Sequence, residues 1–326
     1  MTRVLRTGAE YLAYPLLISW PVVVCFFALR VFALPVDPLW RKGAEVGLFL
    51  ICAVPVILSL LVLEKRLPYW PERQPSREDV RNDLTHLAMC WFAISPLAQA
   101  LMRVIAFTVM GTVSATLGTD LWPSHWPLLA QLLLAVVVGE FGCYWFHRLG
   151  HELELGWRIH ATHHGTPQVY WLNSTRFHAF EVVIRTMFQT APLIVFGCNQ
   201  DTFLIYGAFT AIHGWVQHSN VAYKTGLFNV LLATSANHRW HHSTSMAEAN
   251  HNYGLVVLLW DRLFGTFYSP KDQQFTGAVG IGDMPDFPRT YWGQFLTPFR
   301  WKDLPRTAAE PTSPPQALPE GTRETA

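Results

Sequence analysis

Three histidines fall within five residues at "HRWHH" (His238, His241, His242), and the same H-x-x-H-H spacing stands earlier at "HATHH" (His160, His163, His164). A further box, "FHRLGHE", carries His147 and His151 four residues apart. Of the 14 histidines, only His86 and His125 precede position 147, and the rest lie between His147 and His251. Scattered surface histidines do not gather in this way. Residues three and four apart share one face of a helix, so each triad can point its ring nitrogens at a common centre. An isolated histidine is ordinarily a packed core residue, but repetition in three helix-compatible boxes points to metal. One first-row ion accepts about four to six ligands, so this many histidines predict two ions.

Between the second and third boxes stand His178 in "RFHAFE" and His213 and His218 in "AIHGWVQHSN", which are further candidate ligands. His213 lies five residues before His218, about 140° round a regular helix, so it joins the site only if Gly214 breaks the helix. Glu140 precedes His147 by two helical turns and shares its face. It is a candidate for the shell behind the ligands or for a substrate path, with a paired boundary carboxylate as the plain alternative.

Imidazole suits zinc, copper, iron and nickel alike, and a structural zinc site would be closed and four-coordinate. Ligation needs the unprotonated ring, so metal affinity should fall as pH drops through about 6.5. Neutral ligands leave the charge of the ions uncompensated, which suits binding of reduced dioxygen and attack on an unactivated C–H bond.

The elements that must carry these boxes are apolar. The 326 residues are 51% hydrophobic and 14% charged, against roughly 25% charged in ordinary soluble domains. Residues 11–29, 46–63, 84–102 and 121–139 hold no Asp, Glu, Lys or Arg apart from their flanks. Each is about the length of a membrane-crossing helix. Residues 186–200 and 202–223, divided by Asp201, read as a hairpin that enters the membrane and returns.

The expected fold is therefore all-α: a multi-pass transmembrane bundle with a cytoplasmic helical cap carrying a histidine-ligated dimetal site. The loop 64–83 holds Lys65, Arg66, Arg73, Arg77 and Arg81 and should face the cytoplasm, which puts the histidine boxes on the same side. Arg41 and Lys42 then face outward. The N-terminal run lacks a small-x-small cleavage site and reads as an uncleaved anchor.

Three divisions follow: residues 1–83 as N-terminal transmembrane helices and loop, 84–268 as the catalytic domain, and 269–326 as an extension. From about residue 305 that extension is Pro-rich and expected to be disordered.

Composition also excludes. The net charge of +1 offers no basic stripe for nucleic acid, and the five cysteines form no C-x-x-C pair. "HELEL" at His151 lacks the second histidine of a metalloprotease H-E-x-x-H. A metal transporter or metal-storing protein would place ligands at mid-membrane, whereas these boxes lie at the ends of the apolar windows. That reading is the alternative to an enzyme.

The H-x-x-x-H box at 147, the H-x-x-H-H boxes at 160 and 238, and "NHNYGLVVLLWDRLFGTF" from Asn250 to Phe267 together resemble the fatty acid hydroxylase and sterol desaturase superfamily, the integral membrane non-heme di-iron oxygenases. The resemblance runs from about residue 84 to 268. It implies that His147, His151, His160, His163, His164, His238, His241 and His242 hold two iron ions, which zinc can replace, with one or two histidines such as His218. It also implies a membrane lipid substrate, hydroxylated or desaturated with O2, and electrons from a separate reductase with a ferredoxin or cytochrome, since no Gly-rich dinucleotide motif is present. Asn252, Tyr253, Gly254, Trp260 and Asp261 match further elements of the pattern, and Asp261 is a candidate to orient a ligand histidine. The four residues between His213 and His218, where three are familiar, set His213 apart. With no fused cytochrome domain or reticulum retrieval tail, a bacterial inner membrane is the expected home.

Overall fold

In the computed structural model, residues 3–32, 38–117, 121–270 and 273–307 are described. The tail expected to be disordered falls mostly outside them, at residues 308–326. Among the described residues no strand forms. Isolated bridges join Pro68 to Val221, Leu232 to Val257 and Ser243 to Val279.

Four long segments make the frame: α1 (Arg3–Val31), α2 (Pro38–Arg66), a third that joins α3 (Arg77–Ala88) through a π-helical stretch (Met89–Ile94) to α4 (Ser95–Leu117), and α5 (Leu128–Glu152). Each contains a stretch long and apolar enough to cross a membrane. Pro15 and Pro21 in α1 and Pro55 in α2 lie inside helices. Membrane-type helices tolerate this because neighbouring groups satisfy the freed carbonyls.

Two boundaries differ from the apolar windows. The window at residue 84 is not one regular helix, since the π-helical stretch interrupts it. The window at residue 121 becomes helical only from Leu128, after Pro123 and Pro127, and continues through both histidines of the first box to Glu152.

α6 (Glu154–His164) follows α5 at once, and α7 (Ala179–Val195) and α8 (Gln200–His218) form the expected hairpin. Its turn lies at residues 196–199, and Asp201 sits in the first turn of α8, where Asn199 caps the helix. The first arm begins earlier than its apolar run, because the His178 side chain caps it by accepting from the Phe180 N–H.

α7 runs antiparallel to α5 in close contact. A Cβ on Gly142 would stand 1.8 Å from the Phe188 carbonyl oxygen, and one on Gly139 would stand 2.2 Å from the Tyr206 hydroxyl. Glycine at 142 lets the α5 and α7 backbones approach, as in packed membrane helices, and glycine at 139 leaves room for the Tyr206 side chain of α8. At the far end of the frame Arg41 of α2 pairs with Asp201 of α8 at 3.0 Å.

Short helices close the near end: α9 (Phe228–Leu231), α10 (Ser235–His241), α11 (Met246–Ala249), α12 (Leu259–Leu263) and α13 (Tyr291–Leu296). Helices of four to seven residues do not persist alone, so tertiary contacts must hold them. For α10 the holder is buried Arg239, which stacks 3.7 Å over Tyr69 and donates to the Ser219 and Val221 carbonyls. The segment after residue 273 lies across this end, with the Gly280 N–H donating to the His242 carbonyl and Phe287 against Gly165.

Candidate metal centre

The boxes do not form three separate clusters. His147 and His151 from α5, His160 and His164 from α6, and His241 from α10 make one group; His163, His218, His238 and His242 make a second. Within each group the ligand atoms all lie within 4.8 Å of one another. The expectation that each triad serves one centre is therefore corrected: both triads split.

In each H-x-x-H-H box the first and last histidines enter one group and the middle one enters the other. Helical geometry explains the division, since i and i+4 are about 40° apart round the axis whereas i+3 and i+4 are about 100° apart. Each helix thus straddles the seam between the groups, and α6 and α10 do so in opposite senses.

Hydrogen bonding on the outer ring nitrogens prepares the inner ones. Oxygen acceptors face Nδ1 of His147 (Tyr253 carbonyl, 2.7 Å), His160 (Glu181 Oε1, 2.7 Å), His163 (Arg176 carbonyl, 3.3 Å), His218 (Gly214 carbonyl, 2.9 Å) and His241 (His251 carbonyl, 2.8 Å). Carbonyl and carboxylate oxygens only accept, so in these rings the proton sits on Nδ1 and Nε2 presents a lone pair.

Yet Nε2 of His147 lies 3.1 Å from Nε2 of His160, and Nε2 of His163 lies 3.1 Å from Nε2 of His218. Two lone pairs at that distance, with no proton to share, repel unless a cation sits between them. Two nitrogens bound at about 2.1 Å and at right angles to one ion would stand about 3.0 Å apart. The buried Nε2 atoms of His151, His164 and His241 also lack partners. The donor set fits a metal in each group.

Burial, and then the neighbouring rings, hold His163, His164, His238, His241 and His242 well below the ordinary imidazole range, so these rings are neutral.

Three expected site residues sit elsewhere or act differently. His178 uses both ring nitrogens away from the groups, one on the α7 cap and one on the Phe295 carbonyl at 3.0 Å. His213 meets the Tyr14 hydroxyl at 3.2 Å, because α8 stays regular through Gly214 and turns it away from His218. Asp261 touches no ligand ring. Its carboxylate accepts from the Tyr253 and Gly254 N–H groups at 2.8 Å each and from the Thr266 hydroxyl.

Glu140 belongs to the same device. Its Oε2 accepts from the N–H groups of Leu255 (2.9 Å), Val256 (3.0 Å) and Val257 (3.3 Å). Two buried carboxylates therefore hold every N–H from Tyr253 to Val257. The segment so pinned carries the Tyr253 carbonyl that orients His147. Just before it, Asn252 adopts a left-handed φ of 55°, which asparagine tolerates better than most residues. Its side chain bonds to the backbone of Tyr268 in both directions.

Glu181 was not singled out by spacing. It stands in the quoted "RFHAFE", but a carboxylate in the first turn of a helix is common, and only the fold brings it to His160. Arg176 was missed for the same reason: buried, it pairs with Asp83 at 2.5 Å while its carbonyl orients His163.

The frame and site define a class: an all-helical protein with membrane-length helices and two interleaved histidine groups that could each hold a metal. The profile of the fatty acid hydroxylase family matches residues 132–266. Ornithine lipid hydroxylase OlsE of Rhizobium tropici is 30% identical over 276 residues, covering 81% of this chain and 80% of its own. Human alkylglycerol monooxygenase is 28% identical over 158 residues, 48% of this chain and 34% of its own. A probable Delta(7)-sterol 5(6)-desaturase of Neurospora crassa is 28% identical over 198 residues, 57% of this chain and 54% of its own. The chain thus spans most of the first relative but only about a third and a half of the other two. No solved structure gives a significant match. The chain belongs to the fatty acid hydroxylase and sterol desaturase superfamily, whose related members here are lipid hydroxylases, monooxygenases and desaturases.

Proposed function

We propose that the protein is a membrane-bound, non-heme di-iron monooxygenase that hydroxylates a lipid. The observation that carries this reading is the pair of lone-pair-to-lone-pair contacts at 3.1 Å, one in each histidine group. His147, His151, His160, His164 and His241 would hold one iron, and His163, His218, His238 and His242 the other. Hydroxylation is preferred to desaturation because the relative covering most of this chain is named a hydroxylase. The overall reaction takes a C–H bond, O2, two electrons and two protons to an alcohol and water.

The bound ions would supply activation of O2 by electrons from a separate donor, a reductase with a ferredoxin or cytochrome. The chain's own residues do the rest. Glu181 and the carbonyls of Tyr253, Arg176, Gly214 and His251 keep protons on Nδ1 and so aim Nε2 inward. The apolar helices admit a lipid tail, and burial of the rings excludes bulk water.

Residues 84–268 are proposed as the catalytic unit, with 1–83 as its anchor and 269–307 as a cover. The site is proposed to face the cytoplasm: Lys65, Arg66, Arg73 and Arg77 lie at the histidine end of the frame, against Arg30, Arg41 and Lys42 at the other. A bacterial inner membrane suits this arrangement.

Metal analysis of the purified full chain is the test. About two iron ions per chain are expected, with lipid oxidation that requires O2 and a reductant. A single tightly held zinc, with no oxygen uptake from any donor, contradicts the proposal.

A further inference from the structure

Arg185 of α7 is a half-buried cation without a counter-ion among the described residues, on the stretch of the helix just below the histidine groups. It makes no salt bridge or side-chain hydrogen bond to the described residues. Its Nε is buried without a partner, and its described contact is with the Phe177 ring, 4.1 Å from the centroid. The acid at the right helical spacing, Glu181, instead serves His160.

The surroundings are those of the site. The guanidinium lies within electrostatic reach of Cys90 in the π-helical stretch, of Cys143 and His147 on α5, and of Tyr206 and His218 on α8. Its depth follows from the contact of Gly142 with the Phe188 carbonyl. Arg185 is one turn nearer the histidines than Phe188, and at about 1.5 Å per residue it lies only about 3 Å beneath the level of His147. Its Nε is covered while the rest of the side chain is part-exposed, so the guanidinium can meet an incoming group beside the histidine groups.

An unpaired charge at membrane depth is costly and marks a functional group, and guanidinium matches carboxylate and phosphate oxygens in fork geometry. We propose that Arg185 binds an anionic group, carboxylate or phosphate, on the lipid substrate. The oxidised carbon then lies near the charged headgroup, within a few bonds of it, and the far tail lies away from the metals. This rests on the reading of the protein as a lipid oxygenase.

The test is binding by the full chain in uncharged detergent, with radiolabelled palmitate, hexadecyl phosphate and hexadecanol as probes that share one chain length. The wild type should bind one or both anionic probes about tenfold more tightly than hexadecanol. Arg185→Gln should lose that preference while binding hexadecanol as before, and Arg185→Lys should keep part of it. Acetate and inorganic phosphate should not displace the probes.

The proposal is overturned if the wild type shows no preference, if Arg185→Gln keeps it, or if inorganic phosphate competes as a free anion. It is overturned equally if hexadecanol binding falls with the substitution by as much as anion binding, which would make Arg185 structural. Metal content of the same samples separates the two readings. A preference for anionic probes in a protein that takes up no iron would defeat the oxygenase and leave this site standing.

Discussion

At the residue scale the splitting of the triads makes a sharp claim. On the proposed assignment adjacent histidines serve different ions, so His163→Ala and His164→Ala should each remove one metal and leave the other. The double variant His163→Ala/His238→Ala strips a single group and should retain one ion, whereas His163→Ala/His164→Ala weakens both. Retention of two ions in the second double variant, read by mass spectrometry of the metal content, would refute the interleaved assignment. Glu181 acts through His160. Glu181→Ala should weaken metal binding by about 10- to 100-fold, Glu181→Asp should restore part of it, and an unchanged metal titration would show that the 2.7 Å contact is incidental.

Much of this residue list was legible from spacing: of the eleven histidines that the sequence offers as ligands, nine fall in the two groups, and His178 and His213 do not. Their division between ions was also implicit in the angles of one helix, but reading it requires knowing that a second helix faces the first. The orienting oxygens were not legible, because most are backbone carbonyls and carry no side-chain signature.

At the element scale the key piece is the turn from His251 to Val257. It offers the His251 carbonyl to His241 and the Tyr253 carbonyl to His147, so a short stretch of backbone sets two ligands of one group. Glu140 and Asp261 fix it from opposite ends; both were legible as candidates for the shell behind the ligands, but that they act on the backbone of this turn and not on a ligand ring was not. Glu140→Gln keeps an acceptor for the three N–H groups but puts an amide NH2 where Oε1 is buried without a partner, which should cost about 2 kcal/mol of stability and lower the first group's occupancy. Thermal unfolding with and without metal measures both effects, and a variant as stable as wild type would mean that the three N–H groups find other partners.

The close passage of α5 and α7 is equally local. Gly142→Val has no room beside the Phe188 carbonyl, so it should separate the helices and misplace His147 and His151. Metal content should fall even where the protein still inserts. His213 shows why a candidate failed: regular helix carried it to α1, and the glycine beside it did not bend the chain.

For the whole molecule, burial of the site sets its response to pH. Above about 6.5 the rings of His163, His164, His238, His241 and His242 are neutral in both folded and unfolded chains, and they contribute no pH dependence. Below that value the unfolded chain gains protons that the folded chain refuses, because burial holds these rings well below the ordinary range. Stability of the metal-free protein should therefore fall as pH drops from about 6.5. The same burial should let a loaded site keep its metal to lower pH than free imidazole ligands would. Melting temperature against pH, for loaded and stripped protein, checks the sign; a stripped protein that gains stability on acidification contradicts it.

The four spanning segments were legible as uncharged windows, while the π-helical break and the late start of α5 depended on packing and on Pro127.

The central claim is that the two histidine groups act together to place an atom of O2 in a lipid. The direct measurement supplies isotopically labelled dioxygen to the iron-loaded full chain in membranes with a reducing system and weighs the lipid product. One labelled oxygen per oxidised lipid is the expected result, abolished in His241→Ala. Oxygen derived from water, or no oxidised lipid from a protein that holds both irons, would contradict the account.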